Sequence, residues 1–208
     1  MNALILLFYR IVTFFTRVPA ETRAEHSDIL RRIPFDNIIT KNSYIDNQSA
    51  LYKASYGNHS MSENGCGPIA LLNALMAFNN SSDKNITESL TSVVEFLEKY
   101  GATLKGAFGT SPFAIRKYLK KEGFSTKVFR QNNKNKLNTF AQSYSGFISL
   151  IYNDRSSISH GLHIVFTKKN DDGSYTSHNP LTEGLSLYDT LYKCADKGLK
   201  HVYTIGIK

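Results

Sequence analysis

Residues Gly67 to Phe78 read GPIALLNALMAF, and this segment is apolar on nearly every side. A helix without a polar face is stable only when its whole circumference is covered, so the segment predicts a helix at the centre of a domain. The chain has 208 residues, of which 41% are hydrophobic and 20% charged. This length and composition predict one globular domain with its own hydrophobic core. They exclude a disordered, collagen-like or low-complexity chain.

Helical patterns continue after this segment, and strand patterns fill the second half of the chain. Helices are predicted over 85–100 and 111–122, with Ser111 as N-cap of the second and Gly123 at its end. Strands are predicted over 125–130, 146–152, 162–168, 174–178 and 200–207, with further helices near 137–144 and 185–194. The polar residues 37–63 are expected to form a long irregular loop or arm. Helices followed mainly by strands predict an α+β domain whose helical half packs against an antiparallel sheet.

The N-terminal segment is apolar but too short for a membrane-spanning helix. About 12 residues are apolar where a bilayer requires roughly 20, and Arg10 interrupts them. We expect a helix that docks on the domain or on a second copy, or alternatively an interfacial helix with arginines at the membrane surface. We therefore divide the chain into an N-terminal helix with a linker, residues 1–36, and a domain over residues 37–208. The expected location is cytoplasmic, with peripheral membrane contact or self-association through residues 1–17.

The net charge of +8 comes from 25 Lys and Arg against 17 Asp and Glu. Such a charge is compatible with nucleic acid or anionic lipid as a partner. The basic residues are scattered, however, and they lack the interleaved aromatic residues of a nucleic-acid-binding surface. We therefore expect no nucleic-acid partner. Two cysteines are too few for a disulfide framework, so packing must stabilise the fold.

Cys66 stands directly before the apolar segment, within Gly65-Cys66-Gly67-Pro68. A thiol at a helix N-terminus lies near backbone amides without intrahelical partners, and these favour the nucleophilic thiolate. The two glycines leave space for a substrate backbone, and Pro68 suits the first turn of a helix. The alternative is that Cys66 is a small buried hydrophobic side chain at an ordinary helix start.

His163 opens the predicted strand 162–168 and is the candidate general base and acid. Residues 170–173 are rich in turn formers and predict a hairpin. Positions 163 and 179 are equidistant from residue 171, so this hairpin would bring Asn179 beside His163. The carboxamide of Asn179 could then orient the imidazole ring.

Three other residues compete for roles in such a site. His160 is separated from the strand by a glycine, so we expect it on a mobile loop. His178 neighbours Asn179, and adjacent strand residues face opposite ways, so only one of the two can face the site. Cys194 is expected to be a packing residue. A zinc site would lack the paired spacing of metal ligands, so we expect no metal and no cofactor.

Several short motifs occur in one order along the chain from about Tyr44 to the C-terminus. They are Tyr56-Gly57, Ser60-Met61, Gly65-Cys66-Gly67-Pro68, Ala70-Leu71-Leu72, Gly109-Thr110-Ser111, His163 and Asn179-Pro180. Together they resemble the papain-like cysteine peptidases, and more closely the bacterial branch related to the double-glycine leader (bacteriocin-processing) peptidases and their stand-alone relatives. The resemblance implies a papain-like fold and a cysteine peptidase or amide hydrolase that acts on peptides or proteins through a thioacyl-enzyme. It assigns Cys66 as nucleophile, His163 as acid and base, and Asn179 as orienting residue.

The chain departs from this pattern at the oxyanion residue. Relatives usually carry a glutamine shortly before the cysteine, whose amide stabilises the oxyanion. We expect Asn58 in this role, with Gln48 as the alternative. Asn179 stands where many relatives have aspartate. The alternatives to a hydrolase are a catalytically silent module that binds peptides or a membrane partner, and an acyl or amide transferase on the same fold.

Overall fold

The computed structural model describes residues 2–39, 44–78, 85–131, 133–152, 162–180 and 200–208. His160, Cys194 and the predicted helix near 185–194 lie outside these residues.

Helices dominate the first part of the described chain, and strands dominate the rest. The helices are α1 (Asn2–Phe15), α2 (Ala20–Arg31), α3 (Met61–Asn64), α4 (Cys66–Phe78), α5 (Ile86–Tyr100), α6 (Pro112–Lys121) and α7 (Lys134–Gln142), with short 3-10 helices at Phe35–Asn37 and Gln48–Leu51. The strands are β1 (Ser55–Tyr56), β2 (His59–Ser60), β3 (Thr126–Phe129), β4 (Gly146–Tyr152), β5 (Leu162–Lys169), β6 (Tyr175–His178) and β7 (Lys200–Ile207).

The main sheet has the strand order β3-β7-β4-β5-β6 across the described residues, and every neighbouring pair is antiparallel. Helix α4 packs against β5 and β4, with α5 and α6 also in contact with it. Its residues from Cys66 to Leu75 are all buried. The predicted central helix and the α+β class, with helices on a mainly antiparallel sheet, are confirmed.

The β5–β6 hairpin forms as predicted, with its centre displaced by one residue. Phe166 pairs with His178 and Lys169 with Tyr175, so the symmetric point is residue 172 rather than 171. The Gly173 N–H donates to the Asn170 carbonyl and closes a turn. Gly173 itself then adopts a left-handed φ of 82°, which makes the connection one residue longer than predicted. A turn followed by a left-handed glycine is a common three-to-five-residue hairpin connection.

The N-terminal segment contains two helices instead of a helix and a linker. Helix α2 was missed because its sequence, AETRAEHSDILR, has almost no apolar periodicity. It buries Leu30 and His26 and packs against α5, so tertiary contacts stabilise it rather than its own pattern. The expected arm over 37–63 likewise holds the β1–β2 hairpin and α3, which are too short to produce a periodic signal.

Helix α1 docks on its own domain. Ile5, Leu6 and Tyr9 belong to the same buried cluster as the residues of α4. Tyr9 donates a hydrogen bond to the Phe108 carbonyl at 3.2 Å. Within the described ranges, no single helix is long and apolar enough to cross a bilayer. Helices α1 and α2 meet the length and composition criteria only when they are taken together, and the chain bends by 103° between them.

Candidate active site

Cys66 is the first residue of α4 and is only 7% exposed. Gly65 joins α3 to α4, because its N–H donates to the Met61 carbonyl and its own carbonyl accepts from Ile69. A Cβ on Gly65 would lie 2.3 Å from the Met61 oxygen, so a side chain there would separate the two helices. This tight joint places the thiol at the N-terminus of α4.

Gly67 makes room for a neighbouring side chain rather than for a substrate. A Cβ at this position would lie 2.2 Å from Thr110 Oγ1. The same hydroxyl donates to the Tyr56 hydroxyl at 2.9 Å, and both side chains are fully buried. The expectation that this glycine leaves space for a substrate backbone is therefore wrong, since Thr110 occupies that space.

The sulfur of Cys66 contacts strand β5. Backbone hydrogen bonds from Ile164, Gly67 and Cys66 itself act to lower the thiol pKa, but burial outweighs them and raises the pKa of Cys66 above its ordinary value. At neutral pH the sulfur therefore keeps its proton. The structure does not give the low thiol pKa expected from the helix N-terminus, because desolvation of a buried thiolate exceeds the stabilisation by nearby amides.

His163 precedes Ile164 on β5, and its ring is buried. Its Nε2 donates a hydrogen bond to the Asn179 carbonyl oxygen at 2.8 Å. Burial lowers the pKa of His163, so the ring is neutral at pH 7 and its Nδ1 carries the basic lone pair. Among the hydrogen bonds of the described residues, none joins this ring to the sulfur of Cys66. The sulfur instead meets the backbone of the adjacent residue.

Asn179 contacts His163 through its main chain and not through its carboxamide. Its φ of 56° is left-handed, so the chain turns sharply directly after β6. The carboxamide forms two bonds with Gln48: its Oδ1 accepts from the Gln48 backbone N–H at 3.0 Å, and its Nδ2 donates to Gln48 Oε1 at 2.9 Å. Residues 163 and 179 are thus close together as predicted, but the carbonyl of Asn179, and not its carboxamide, contacts the ring.

Gln48 connects the sheet half of the site to the helical half. While its Oε1 accepts from Asn179, its Nε2 donates to the carbonyls of Ser62 at 2.9 Å and Glu63 at 3.3 Å. Those two residues lie in α3, immediately before Cys66. Gln48 therefore ties the residue that holds the imidazole to the residues that precede the thiol.

Asn58 forms none of the hydrogen bonds described around Cys66 and His163. Its backbone N–H donates to the Lys105 carbonyl at 2.8 Å, in the turn between β1 and β2. Asn58 also lines a surface pocket of about 460 Å³ together with His26 and Glu63, whereas Cys66 and His163 are not among the lining residues. Of the two amides considered for the oxyanion, it is Gln48 that contacts the site.

A buried contact between His26, which lines this pocket, and Glu98 was not predicted. His26 Nδ1 lies 2.6 Å from Glu98 Oε1, and the same oxygen accepts the Gly57 N–H at 2.8 Å. Burial raises the pKa of Glu98. The partners are 72 residues apart on the buried faces of α2 and α5, so no local pattern in the sequence signals their contact.

His178 has a packing role in this arrangement. Its Nδ1 lies 2.8 Å from Asp46 Oδ1, and its ring stacks on Tyr44 with centroids 3.7 Å apart. It therefore takes no part in the bonds that Asn179 makes with Gln48. Within the described residues, no group of three or more His, Cys, Asp or Glu side chains is placed to hold a metal ion.

Comparison with known proteins identifies no relative of this chain. The chain matches no family model, no curated protein and no solved structure. Its function must therefore be argued from the site itself.

Proposed function

We propose that this chain is a papain-like cysteine hydrolase that cleaves peptide or other amide bonds through a thioacyl-enzyme. One observation carries the proposal: the sulfur of Cys66, at the start of a buried helix, contacts the backbone of Ile164, directly beside a histidine whose ring is fixed by the Asn179 carbonyl. A nucleophile, a base and a group that orients the base are the parts that covalent amide hydrolysis needs.

The protonation states assign the roles. Since Nε2 of His163 donates to a carbonyl, Nδ1 is the nitrogen that can accept a proton. The pKa shifts of Cys66 and His163 run in opposite directions and both favour the neutral form. Proton transfer from sulfur to Nδ1 therefore accompanies attack on the substrate instead of preceding it. Catalytic hydrogen bonds are often long in free enzymes and shorten in the substrate complex, which supports the same sequence of events.

The reaction then proceeds in two halves. The sulfur bonds to the substrate carbonyl carbon, the carbonyl electrons move to oxygen, and the thiol proton passes to His163. The C–N bond breaks as His163 returns this proton to the leaving amine. Water attacks the thioester with His163 as base, which releases the acid and restores the thiol of Cys66.

The first turn of α4 supplies the donors for the oxyanion in this scheme. The backbone amides of Cys66 and Gly67 lie close enough to the sulfur to act on the pKa of the thiol. Amides in the first turn of a helix have no intrahelical acceptor, so they can donate to a developing negative charge. Gln48 is a positioning residue, because its amide bonds to Asn179 and to the chain before Cys66.

A reduced thiol is required for this chemistry, and this supports a cytoplasmic location. The substrate is a peptide or protein, and no cofactor takes part in the steps above.

The test is hydrolysis of a mixed peptide library by the full chain, followed by mass spectrometry. The wild-type chain and Cys194→Ser, which is the chemically matched control, should cleave the same peptides. Cys66→Ala and His163→Gln should each lose at least about a thousandfold of the rate while keeping the wild-type circular dichroism spectrum. Retention of cleavage by Cys66→Ala would refute the proposal.

A catalytically silent peptide-binding module is the second candidate, and the raised pKa of Cys66 is the observation that favours it. Acyl-enzyme trapping separates the two. A hydrolase stopped by acid during turnover carries the mass of an acyl group on Cys66, whereas a silent module binds peptide without any added mass. Adding hydroxylamine during turnover also separates hydrolysis from transfer, because a transferase forms more hydroxamate than free acid.

A further inference from the structure

Helix α1 presents a continuous apolar face to solvent. The side chains on this face are between 51% and 76% exposed: Leu4, Leu7, Ile11, Phe14 and Phe15. Spacings of three and four residues place them on one side of the helix. We call these five side chains the apolar stripe. They make up five of the eight large hydrophobic side chains exposed in the described part of the chain, so the exposed apolar surface is concentrated here.

The opposite face of α1 fixes the helix in place. Ile5, Leu6 and Tyr9 are buried in the domain core, and Thr13 Oγ1 lies 2.7 Å from Thr103 Oγ1 in a buried hydrogen bond. The helix cannot turn the apolar stripe inward without exposing these residues. The stripe is therefore a fixed surface feature, unlike the apolar residues of a flexible terminus.

Cations adjoin the C-terminal end of the stripe. The Val18 N–H donates to the Glu98 carbonyl, which joins the end of α1 to the last turn of α5. There the Lys99 and Lys117 amines lie 5.2 and 4.1 Å from the ring centroid of Tyr100. Arg17 belongs to the same surface, because its positive charge acts on Tyr100 and its guanidinium lies 5.7 Å from the Phe14 ring. We call Arg17, Lys99 and Lys117 the basic rim.

The size of the stripe argues against a second copy of the chain as its occupant. A helix of 14 residues is about 21 Å long and about 10 Å wide, which gives a footprint of about 200 Å². A stable protein interface buries about 800 Å² of accessible surface on each partner, which is more than five side chains that are 51% to 76% exposed supply by themselves. A bilayer sets no such requirement, because it accepts any helix face that buries its apolar side chains to a depth of about 5–10 Å.

The charge of the same surface selects the kind of bilayer. The chain carries a net charge of +8, and residues 1–20 include two arginines but no acidic residue. Each Lys or Arg close to the surface strengthens binding to anionic lipid by roughly fivefold. We propose that α1 is a peripheral anchor, in which the apolar stripe enters an anionic lipid bilayer while the basic rim contacts the headgroups.

Binding is tested with the full chain and vesicles of phosphatidylcholine, alone or mixed with phosphatidylglycerol. Co-sedimentation should be strong with the mixed vesicles and weak with phosphatidylcholine alone. The double variant Phe14→Ser/Phe15→Ser should bind the mixed vesicles at least tenfold more weakly. Tyr52→Ser removes an aromatic side chain that is 64% exposed outside the stripe, so it is the matched control and should bind like the wild type.

The basic rim is tested by charge reversal. Lys99→Glu/Lys117→Glu should bind mixed vesicles at least tenfold more weakly, and added salt should weaken the wild type in the same way. Deleting α1 is not a clean test, because Ile5, Leu6 and Tyr9 on its inner face belong to the buried core and their loss would destabilise the domain.

A fluorescence experiment keeps the inference testable if the serine variants unfold. The chain contains no tryptophan, so Phe14→Trp introduces a single reporter. Its emission should shift to shorter wavelength with mixed vesicles, while that of Tyr52→Trp should not shift. The inference is overturned if the folded wild-type chain does not bind the mixed vesicles, or if both tryptophans shift equally. It is also overturned if Phe14→Ser/Phe15→Ser only abolishes a dimer seen in sedimentation velocity and leaves vesicle binding unchanged.

Discussion

Replacing Gly67 by alanine tests how the start of α4 is packed beside the thiol. The new Cβ would lie 2.2 Å from Thr110 Oγ1 and 2.3 Å from Thr110 Cβ, whereas ordinary contacts begin at about 3.4 Å. Rotation of the threonine cannot relieve the clash, because its Cβ is as close as its hydroxyl. Relief therefore requires the backbone of α4 or of Thr110 to move by about 1 Å.

The free-energy change follows from two opposing effects. Overpacking a close-packed site typically destabilises by about 1–3 kcal/mol, and this clash lies at the upper end because both residues are buried. Alanine stabilises a helix relative to glycine by about 0.5–1 kcal/mol. We expect Gly67→Ala to lower the free energy of unfolding by about 2 kcal/mol, with further loss if the bond from Thr110 to Tyr56 breaks.

Urea denaturation followed by circular dichroism under reducing conditions measures this change. Thr110→Gly removes the opposing side chain and is destabilising by itself, because it leaves a cavity and a buried Tyr56 hydroxyl without its partner. In the double variant Gly67→Ala/Thr110→Gly the methyl group occupies the vacated space. Its destabilisation should be smaller than the sum of the single variants by at least about 1 kcal/mol. Strict additivity, or a Gly67→Ala variant as stable as the wild type, would refute the steric argument.

Three further predictions concern hydrogen-bonded polar side chains. Burial lowers the pKa of His201 from 6.5 to about 4, so the unfolded state takes up a proton at a higher pH than the folded state. The free energy of unfolding should therefore be highest above pH 6.5 and should fall by about 3 kcal/mol as the pH drops to 4. His201→Gln should flatten this dependence in urea titrations at a series of pH values, and an unchanged slope would contradict the assignment. Gln48→Glu places a carboxylate oxygen where the amide nitrogen donates to two carbonyls. It should lower the peptidase rate and should lower the free energy of unfolding by about 1–2 kcal/mol. An unchanged rate would show that Gln48 is not a positioning residue. Glu98→Ala should destabilise the fold by about 3 kcal/mol, because it leaves His26 and the Gly57 N–H without their acceptor. Glu98→Gln retains an acceptor oxygen and should lose less than half as much stability. Equal losses in the two variants would show that the missing acceptor is not the cause.

The parts of the fold that the sequence predicted have a strong local signal. Helix α4 is a long apolar run that only a central position can satisfy, and strands β4 and β7 have the predicted bounds. Helix α2 has no such signal, because its stability depends on packing against α5, which is distant in sequence. Local patterns cannot reveal an element whose stabilising contacts are non-local.

In the candidate site, too, some features could be predicted from local sequence patterns and others could not. The hairpin brings residues 163 and 179 into the same region, but its register ends at the Phe166–His178 pair, two positions away from the predicted pairing, and the sharp turn at Asn179 completes the approach. Hairpin geometry could not show that the Asn179 carbonyl, rather than its amide, meets the ring, because that depends on a left-handed φ. Asn58 is nearer than Gln48 to Cys66 in sequence, but the β1–β2 turn places it at the pocket beside His26.

The raised pKa of Cys66 shows which physical effect controls the thiol. A helix N-terminus stabilises a nearby negative charge by about 0.3–1 kcal/mol, which is less than one unit of pKa. Full burial of an ionisable group can shift its pKa by as much as 3–5 units in the opposite direction. Position at a helix start is therefore insufficient for an activated thiol when the sulfur is buried, and three backbone hydrogen bonds do not reverse the balance. In the hydrolase proposed here, the negative charge must move from sulfur to the substrate oxygen as it forms, so the reactivity of Cys66 depends on the substrate being present.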